Sequence, residues 1–261
     1  MDYSAGQLVW IAFSLLLIAM SKGGLPIGTV AIPVLILVWP NSTNAAREAV
    51  AFMLPMLCVM DLAAVLLYRR RIRWDLLRPL FPGMLLGVLI GTIGFVSREK
   101  SLLSVSDRAL KFAVGLLGVL FVLYHLLRSW IVKSLTSHHP RAWEAWAFGT
   151  TAGVTSTLAH AAMPVMQMYL LPRRLPKKQF AASVAAFFWV LNLVKVPPFI
   201  WGGRFNSDLL VLNAVMLPVI PLGVLLGYWL VHVTKPRWYT AFIYVALAGT
   251  SVLLIVKSLR G

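Results

Sequence analysis

The sequence predicts an all-α polytopic membrane protein made of two inverted repeats. Each repeat is a broken, re-entrant helical hairpin followed by three transmembrane helices. Composition is the first reason: 60% of the 261 residues are hydrophobic and only 12% are charged, with a mean hydropathy of +0.83. A soluble chain carries roughly 25% charged residues, so lipid must solvate most of this surface. The second reason is a series of apolar runs at 49–68, 80–96, 112–127, 209–231 and 241–256. Runs of about 20 such residues are long enough to cross a bilayer, and they are continuous where barrel strands would alternate. The third reason is that the chain repeats itself.

Taken in order, the first segment lacks the basic start of a cleavable leader, having only Asp2 before it, and reads as structure. Its apolar run, 8–39, is interrupted by "SKGGLPIG" at 21–28, which divides it into arms 8–21 and 26–39. Three spans follow. The second half opens on arms 143–157 and 160–171 around "TSTLAHAAMP", and three more spans follow from 178. "IPVLILV" (32–38) aligns with "MPVMQMY" (163–169) at a shift of 131. At that shift Arg47 meets Lys178, Glu48 meets Gln179, Asp61 meets Asn192 and Tyr68 meets Phe199. Further on, "GVLIG" (87–91) corresponds to "GVLLG" (223–227), and Arg108 to Arg237. The repeats are therefore expected at 1–135 and 136–261, within one integrated membrane domain.

Loop charges orient them. With hairpins, loops on one side hold fourteen basic residues against eight on the other; with single crossings at 8–39 and 143–171 the split is eleven to eleven. The positive-inside rule favours the hairpins. An odd number of crossings then separates the repeats, so they are inverted, and both termini are expected on the periplasmic side of a bacterial inner membrane. Arms of about 14 residues reach only about 21 Å, short of the hydrocarbon core of about 30 Å. Both tips are thus expected near mid-membrane, the arrangement many secondary transporters use to build a substrate site.

The net charge of +16 finds no solvated basic domain that could bind nucleic acid, and positive-inside loops account for most of it. Two lysines lie inside apolar segments instead, Lys22 and Lys195. At the first tip, Gly23 and Gly24 allow close backbone approach, and Pro26 suits the first turn of the next helix. The N–H groups there would present donors and the positive dipole end to an anion, with Lys22 adding a full charge. A snorkelling lysine is the plainer reading, but Lys22 lies far from either hairpin end. Lys195, in "NLVKVPPF", is deep in its span, with Pro197 and Pro198 expected to break the helix just beyond it. Its alternatives are a ligand-facing charge or a structural pair with an acid or carbonyl. Asn192 shares its face one turn earlier. Asp61, at the position equivalent to Asn192, either pairs with a site lysine or carries a proton, as a gating or coupling residue. Ser156, Thr157 and His160 supply neutral donors at the second tip, His160 being equally readable as a packing residue.

Other features have plain readings. "RRRIR" (69–73) is a positive-inside anchor, and "HHP" (138–140) has no acid or cysteine near it to complete a metal site. Cys58 is a packing residue. Gly83, Gly87 and Gly91, like Gly223 and Gly227, are spaced four apart for close helix packing. The ten tryptophans lie mostly near span ends, as an aromatic belt would.

"SKGGLPIGTVAIPVL", its echo "AHAAMPVMQMYLL" and "NLVKVPPF" together resemble the TauE/SafE sulfite exporter family, over about 8–258. The resemblance implies an inner-membrane carrier of sulfite, thiosulfate or organosulfonate anions, with no cofactor. It carries over Lys22, Gly23, Gly24, Pro33, Pro164, Asn192 and Lys195. One departure is visible: glycines common in the family's second signature are replaced here by "TSTLAHAAMP". The expected function is export of small sulfur oxyanions, sulfite first, through a midplane site. An anion channel is the nearer rival. An intramembrane enzyme using His160 with Ser156 or Asp61 is the remote one, since nothing fixes a nucleophile, base and orienting group. The expected partners are a small inorganic or organosulfur anion and the bilayer, with a second copy of the chain left open as a partner.

Overall fold

The computed structural model describes residues 3–22, 28–40, 43–96, 106–135, 142–173, 175–233 and 236–260. Every regular element among them is helical. Among the described residues, four helices are long and apolar enough to cross a membrane: Ala5–Lys22, Ala45–Arg71, Trp74–Ile93 and Lys178–Trp201. A bent pair, Ser207–Met216 with Val219–Gly227, makes a fifth if taken as one span. Leu66, Leu67, Leu85, Leu86, Leu89, Leu225 and Trp201 are exposed. So much bare apolar surface is stable only against lipid.

Helix α1 (Ala5–Lys22) starts three residues before the apolar run. Ser4 and Gln7 form a capping box: Ser4 Oγ accepts from the Gln7 N–H, and Gln7 Oε1 accepts from the Ser4 N–H. Together with α2 (Gly28–Val38) it makes the first hairpin. In the second, α7 (Ala142–Ala159) is followed by α8 (Met163–Leu170). This corrects the arm lengths expected from hydropathy. The first arms have 18 residues each, about 27 Å, and the second arms 11 and 8, about 16 and 12 Å. Only the second arms are too short to span.

Between the hairpins lie α3 (Ala45–Tyr68), α4 (Trp74–Leu77), α5 (Phe81–Val96) and α6 (Asp107–Leu135). After α8 come α9 (Lys177–Trp201), α10 (Ser207–Met216), α11 (Val219–Val233) and α12 (Pro236–Arg260). Two further expectations are corrected. Pro197 and Pro198 do not end α9, which continues to Trp201. Each proline removes one N–H, facing the Leu193 and Val194 carbonyls, but the last turn stays anchored by fully buried Phe199. Conversely, the run 209–231 is not one straight helix but bends by 44°. Pro218 cannot donate to the Ala214 carbonyl, which takes a long 3.4 Å bond from the Leu217 N–H instead.

The chain forms two compact units, and each draws on both halves of the sequence. The first comprises Met1–Met56, Val105–Val122 and Gly203–Gly261. In it α1 packs on α11, where a side chain at Gly223 or Gly227 would run into Ala19 or the Met20 carbonyl. Buried Met20 and Leu247 centre a cluster with Leu16, Val34 and Phe121. The Asp107 carboxylate accepts from the Ala46 and Arg47 N–H groups at 3.0 and 3.3 Å, capping α3 from another helix, and pairs with Lys111 at 2.9 Å.

The second unit comprises Leu57–Ser104 and Leu123–Gly202. Its main contact is α5 on α7, backbone to backbone. A Cβ at Gly83 would collide with the Trp146 carbonyl, at Gly87 with the Thr150 carbonyl, and at Gly91 with Thr157 at 2.8 Å. From the other side, Gly149 meets the Leu80 carbonyl and Gly153 the Met84 carbonyl. The glycines of both helices let the two chains touch, as small residues do in membranes. Met84, Val88, Met166, Phe187 and Leu191 fill the core beside this seam.

Candidate functional site

The second unit carries an intramembrane polar cluster, built from the end of α7 and one face of α9. Helix α7 ends where His160 adopts φ +50°, the left-handed region that glycine usually occupies. The His160 N–H returns to the Ser156 carbonyl at 3.0 Å and the Ala161 N–H to the Thr155 carbonyl at 3.3 Å. These bonds close the helix. A non-glycine residue in this conformation costs about 1–3 kcal/mol, so its surroundings must hold it there.

Lys195 supplies that hold. Its side chain is fully buried, and its ammonium lies 3.2 Å from the Ser156 carbonyl oxygen, 2.9 Å from Ser156 Oγ and 2.9 Å from His160 Nδ1. An ammonium has three hydrogens, and here it has three acceptors. With Lys195 charged, its ammonium donates in this contact, which leaves the imidazole proton on Nε2. The cation therefore caps the carbonyl end of α7, where the helix dipole is negative.

This changes one expectation. Ser156, Thr157 and His160 were expected to supply neutral donors at the second tip, but toward the Lys195 ammonium Ser156 Oγ and His160 Nδ1 stand as acceptors, and what faces it is the carbonyl end of α7. Thr157 is also engaged locally: its hydroxyl donates to the Gly153 carbonyl at 2.8 Å, and the residue is fully buried against Gly91.

One turn before Lys195, Asn192 Nδ2 donates to Asp61 Oδ2 at 2.9 Å. Both residues are buried, at 2% and 1% exposure. They are the pair matched by the shift of 131, so equivalent positions of the two sequence halves are in direct contact. Asn192 Oδ1 has no hydrogen-bond partner. The amide's orientation follows from Asp61, because a carboxylate can only accept.

The structure thus brings together Asp61, Ser156, His160, Asn192 and Lys195. Lys22 is the last residue of α1, in the first unit, and is half-buried. Gly23, Gly24 and Pro26 lie outside the described residues. Pro33 is inside α2, and Pro164 is the second residue of α8. Sequence reasoning missed Gly149 and Gly153, which complete the seam that carries the α7 tip. Their four-residue spacing was the available signal. Among the described residues no group of three His, Cys, Asp or Glu side chains could hold a metal.

The cluster is suited to binding and not to bond chemistry: a buried cation held by neutral acceptors, beside a carboxylate–amide pair. No curated protein and no solved structure matches the chain. The family described as Sulfite exporter TauE/SafE matches residues 9–254, nearly the whole length. The chain therefore belongs to the TauE/SafE sulfite exporter family, and is a multi-pass membrane transporter of anions, not an enzyme.

Proposed function

We propose that the transported anions are small sulfur oxyanions, sulfite first among them, and that Lys195 is the residue they meet. One observation carries the reading: the Lys195 ammonium is fully buried and all its hydrogen-bond partners are neutral. A charge at membrane depth is costly unless compensated. The carbonyl end of α7 supplies only about half an elementary charge. The Asp61 carboxylate, bonded to Asn192 one turn away, adds a more distant negative charge, and a direct counter-charge at the ammonium is what an anion would bring.

In this reading Ser156, His160 and Asn192 complete the anion's surroundings, Lys22 with Gly23 and Gly24 contributes to its path, and Asp61 sets gating or coupling. The direction is outward. A negative interior drives anions out with about 2.3 kcal/mol per charge per 100 mV, so facilitated transport suffices. The test is saturable, counterflow-competent flux by the purified chain in liposomes, for sulfite against thiosulfate, sulfate and organosulfonates. Sulfite should be moved best. Selective flux of another anion would reassign the substrate, and flux that never saturates would mark a channel.

The loop charges further support an inner-membrane orientation with both termini periplasmic. Single cysteines at Arg70 and Ser207, in a Cys58-free background, should then label from opposite sides of the membrane. Labelling from the same side would overturn the inverted arrangement.

A further inference from the structure

We propose that this site takes a protonated monoanion, hydrogen sulfite, in preference to the sulfite dianion. The proposal rests on the reading of Lys195 as the anion's partner and specifies which form of the anion it meets. The observation behind it is the carbonyl oxygen of Asn192, which is buried and has no partner. Buried acceptors are almost always satisfied in native proteins, and leaving one bare gives up its hydration without return. The amide cannot relieve this by turning over. Its Nδ2 donates to Asp61, and the flipped amide would set oxygen against a carboxylate.

Asn192 and Lys195 are three residues apart on one face of α9. That face therefore offers an anion one strong donor and one fixed acceptor. Hydrogen sulfite in its hydroxyl form matches both, with an anionic oxygen toward the ammonium and its O–H toward Asn192 Oδ1. The dianion matches only the first. Its remaining oxygens carry no proton, so they would meet a bare acceptor with the Asp61 carboxylate behind it. Charge agrees: with the Asp61 carboxylate already near Lys195, a monoanion adds less uncompensated negative charge than a dianion would. Asp61 acts here through Asn192, as a positioning residue that holds the acceptor in place.

Methanesulfinate is the discriminating probe. It has the same charge and the same SO2 group as the hydroxyl form of hydrogen sulfite, with a methyl in place of the hydroxyl. Among the described residues, the titratable groups near the amide include Asp61 and Cys58 on α3, His160 at the end of α7 and Lys195 on α9; α5 contributes none. Their titration would affect both anions, so the ratio of fluxes isolates the substrate's own proton.

With the whole 261-residue chain in liposomes, counterflow of hydrogen sulfite at pH 6 should exceed that of methanesulfinate about tenfold, the effect of one hydrogen bond to a buried acceptor. The ratio should fall with rising pH as the hydrogen sulfite fraction falls. Asn192→Leu should bring the ratio near one, chiefly by lowering hydrogen sulfite flux. A ratio near one in the parent, or one that ignores pH, overturns the proposal, as does an Asn192→Leu variant that slows both anions alike. Any of these, with sulfite still transported, leaves the Lys195 reading intact. If the variant does not fold, the parent ratio and its pH dependence decide alone. If the parent moves neither anion, the underlying reading falls and this proposal with it.

Discussion

Gly87→Ala should destabilise the protein by about 3 kcal/mol or more, and Gly87→Leu should leave no folded protein to purify. The added methyl in the alanine variant would lie deep inside the van der Waals shell of the Thr150 carbonyl oxygen, with the rest of that peptide group under 3 Å away. A flexible side chain could turn aside, but backbone inside a helix cannot. To make room, α5 and α7 would have to separate along a seam where Gly83, Gly91, Gly149 and Gly153 depend on the same approach. Since α7 ends in the Ser156–His160 tip, a surviving alanine variant should also bind anions poorly. Gly249→Ala is the control. It lies in α12 with nothing near a new methyl, so it should keep or gain up to about 1 kcal/mol through helix propensity. Thermal unfolding in detergent, monitored by near-ultraviolet dichroism, compares the two. Equal stability of Gly87→Ala and Gly249→Ala would refute the backbone-contact account.

Lys195→Met should weaken anion binding at least tenfold to a hundredfold while the protein still inserts and folds. Loss of one charge-assisted contact in a desolvated site costs about 1.5–3 kcal/mol, which corresponds to that range. Removing the ammonium takes one contact each from Ser156 Oγ and His160 Nδ1, but the Ser156 carbonyl keeps its bond from the His160 N–H. It also abolishes the cost of burying a charge, so the net effect on stability should be small. Lys195→Arg should not rescue binding, because a planar fork cannot reproduce three acceptors arranged around one nitrogen. Titration calorimetry with sulfite, alongside the thermal unfolding assay, separates affinity from folding. Unchanged affinity in a folded Lys195→Met variant would remove this residue from the substrate path.

Much of this was legible in the sequence because it is written in spacing. Glycines four apart announced the α5–α7 and α1–α11 seams. The shift of 131 matched Asp61 to Asn192 but gave no sign that the two would touch, and depth alone singled out Lys195. What escaped was geometry that hydropathy does not encode. Helix α1 begins early because Ser4 and Gln7 cap it, and both are polar residues outside the apolar run. Pro218 bends its span while Pro197 and Pro198 leave α9 continuous; the difference is whether packing, as at Phe199, holds the next turn. Nor could the pattern say which end of a helix the second tip would present. That depended on one residue, His160, adopting a left-handed conformation that its side chain does not advertise.

The filled surroundings of Lys195 have a kinetic consequence. Its nitrogen resembles a metal ion with a complete inner sphere: three ligands for three positions. An anion that meets Lys195, as proposed, would have to exchange for one of them and could not simply add. On departure the displaced ligand returns, because Ser156 and His160 are tethered to the same helix end and are never far away. Substitution of this kind keeps residence short without surrendering selectivity. A receptor built to retain its ligand would leave the inner sphere open; a protein that must release every anion it accepts gains from keeping it closed.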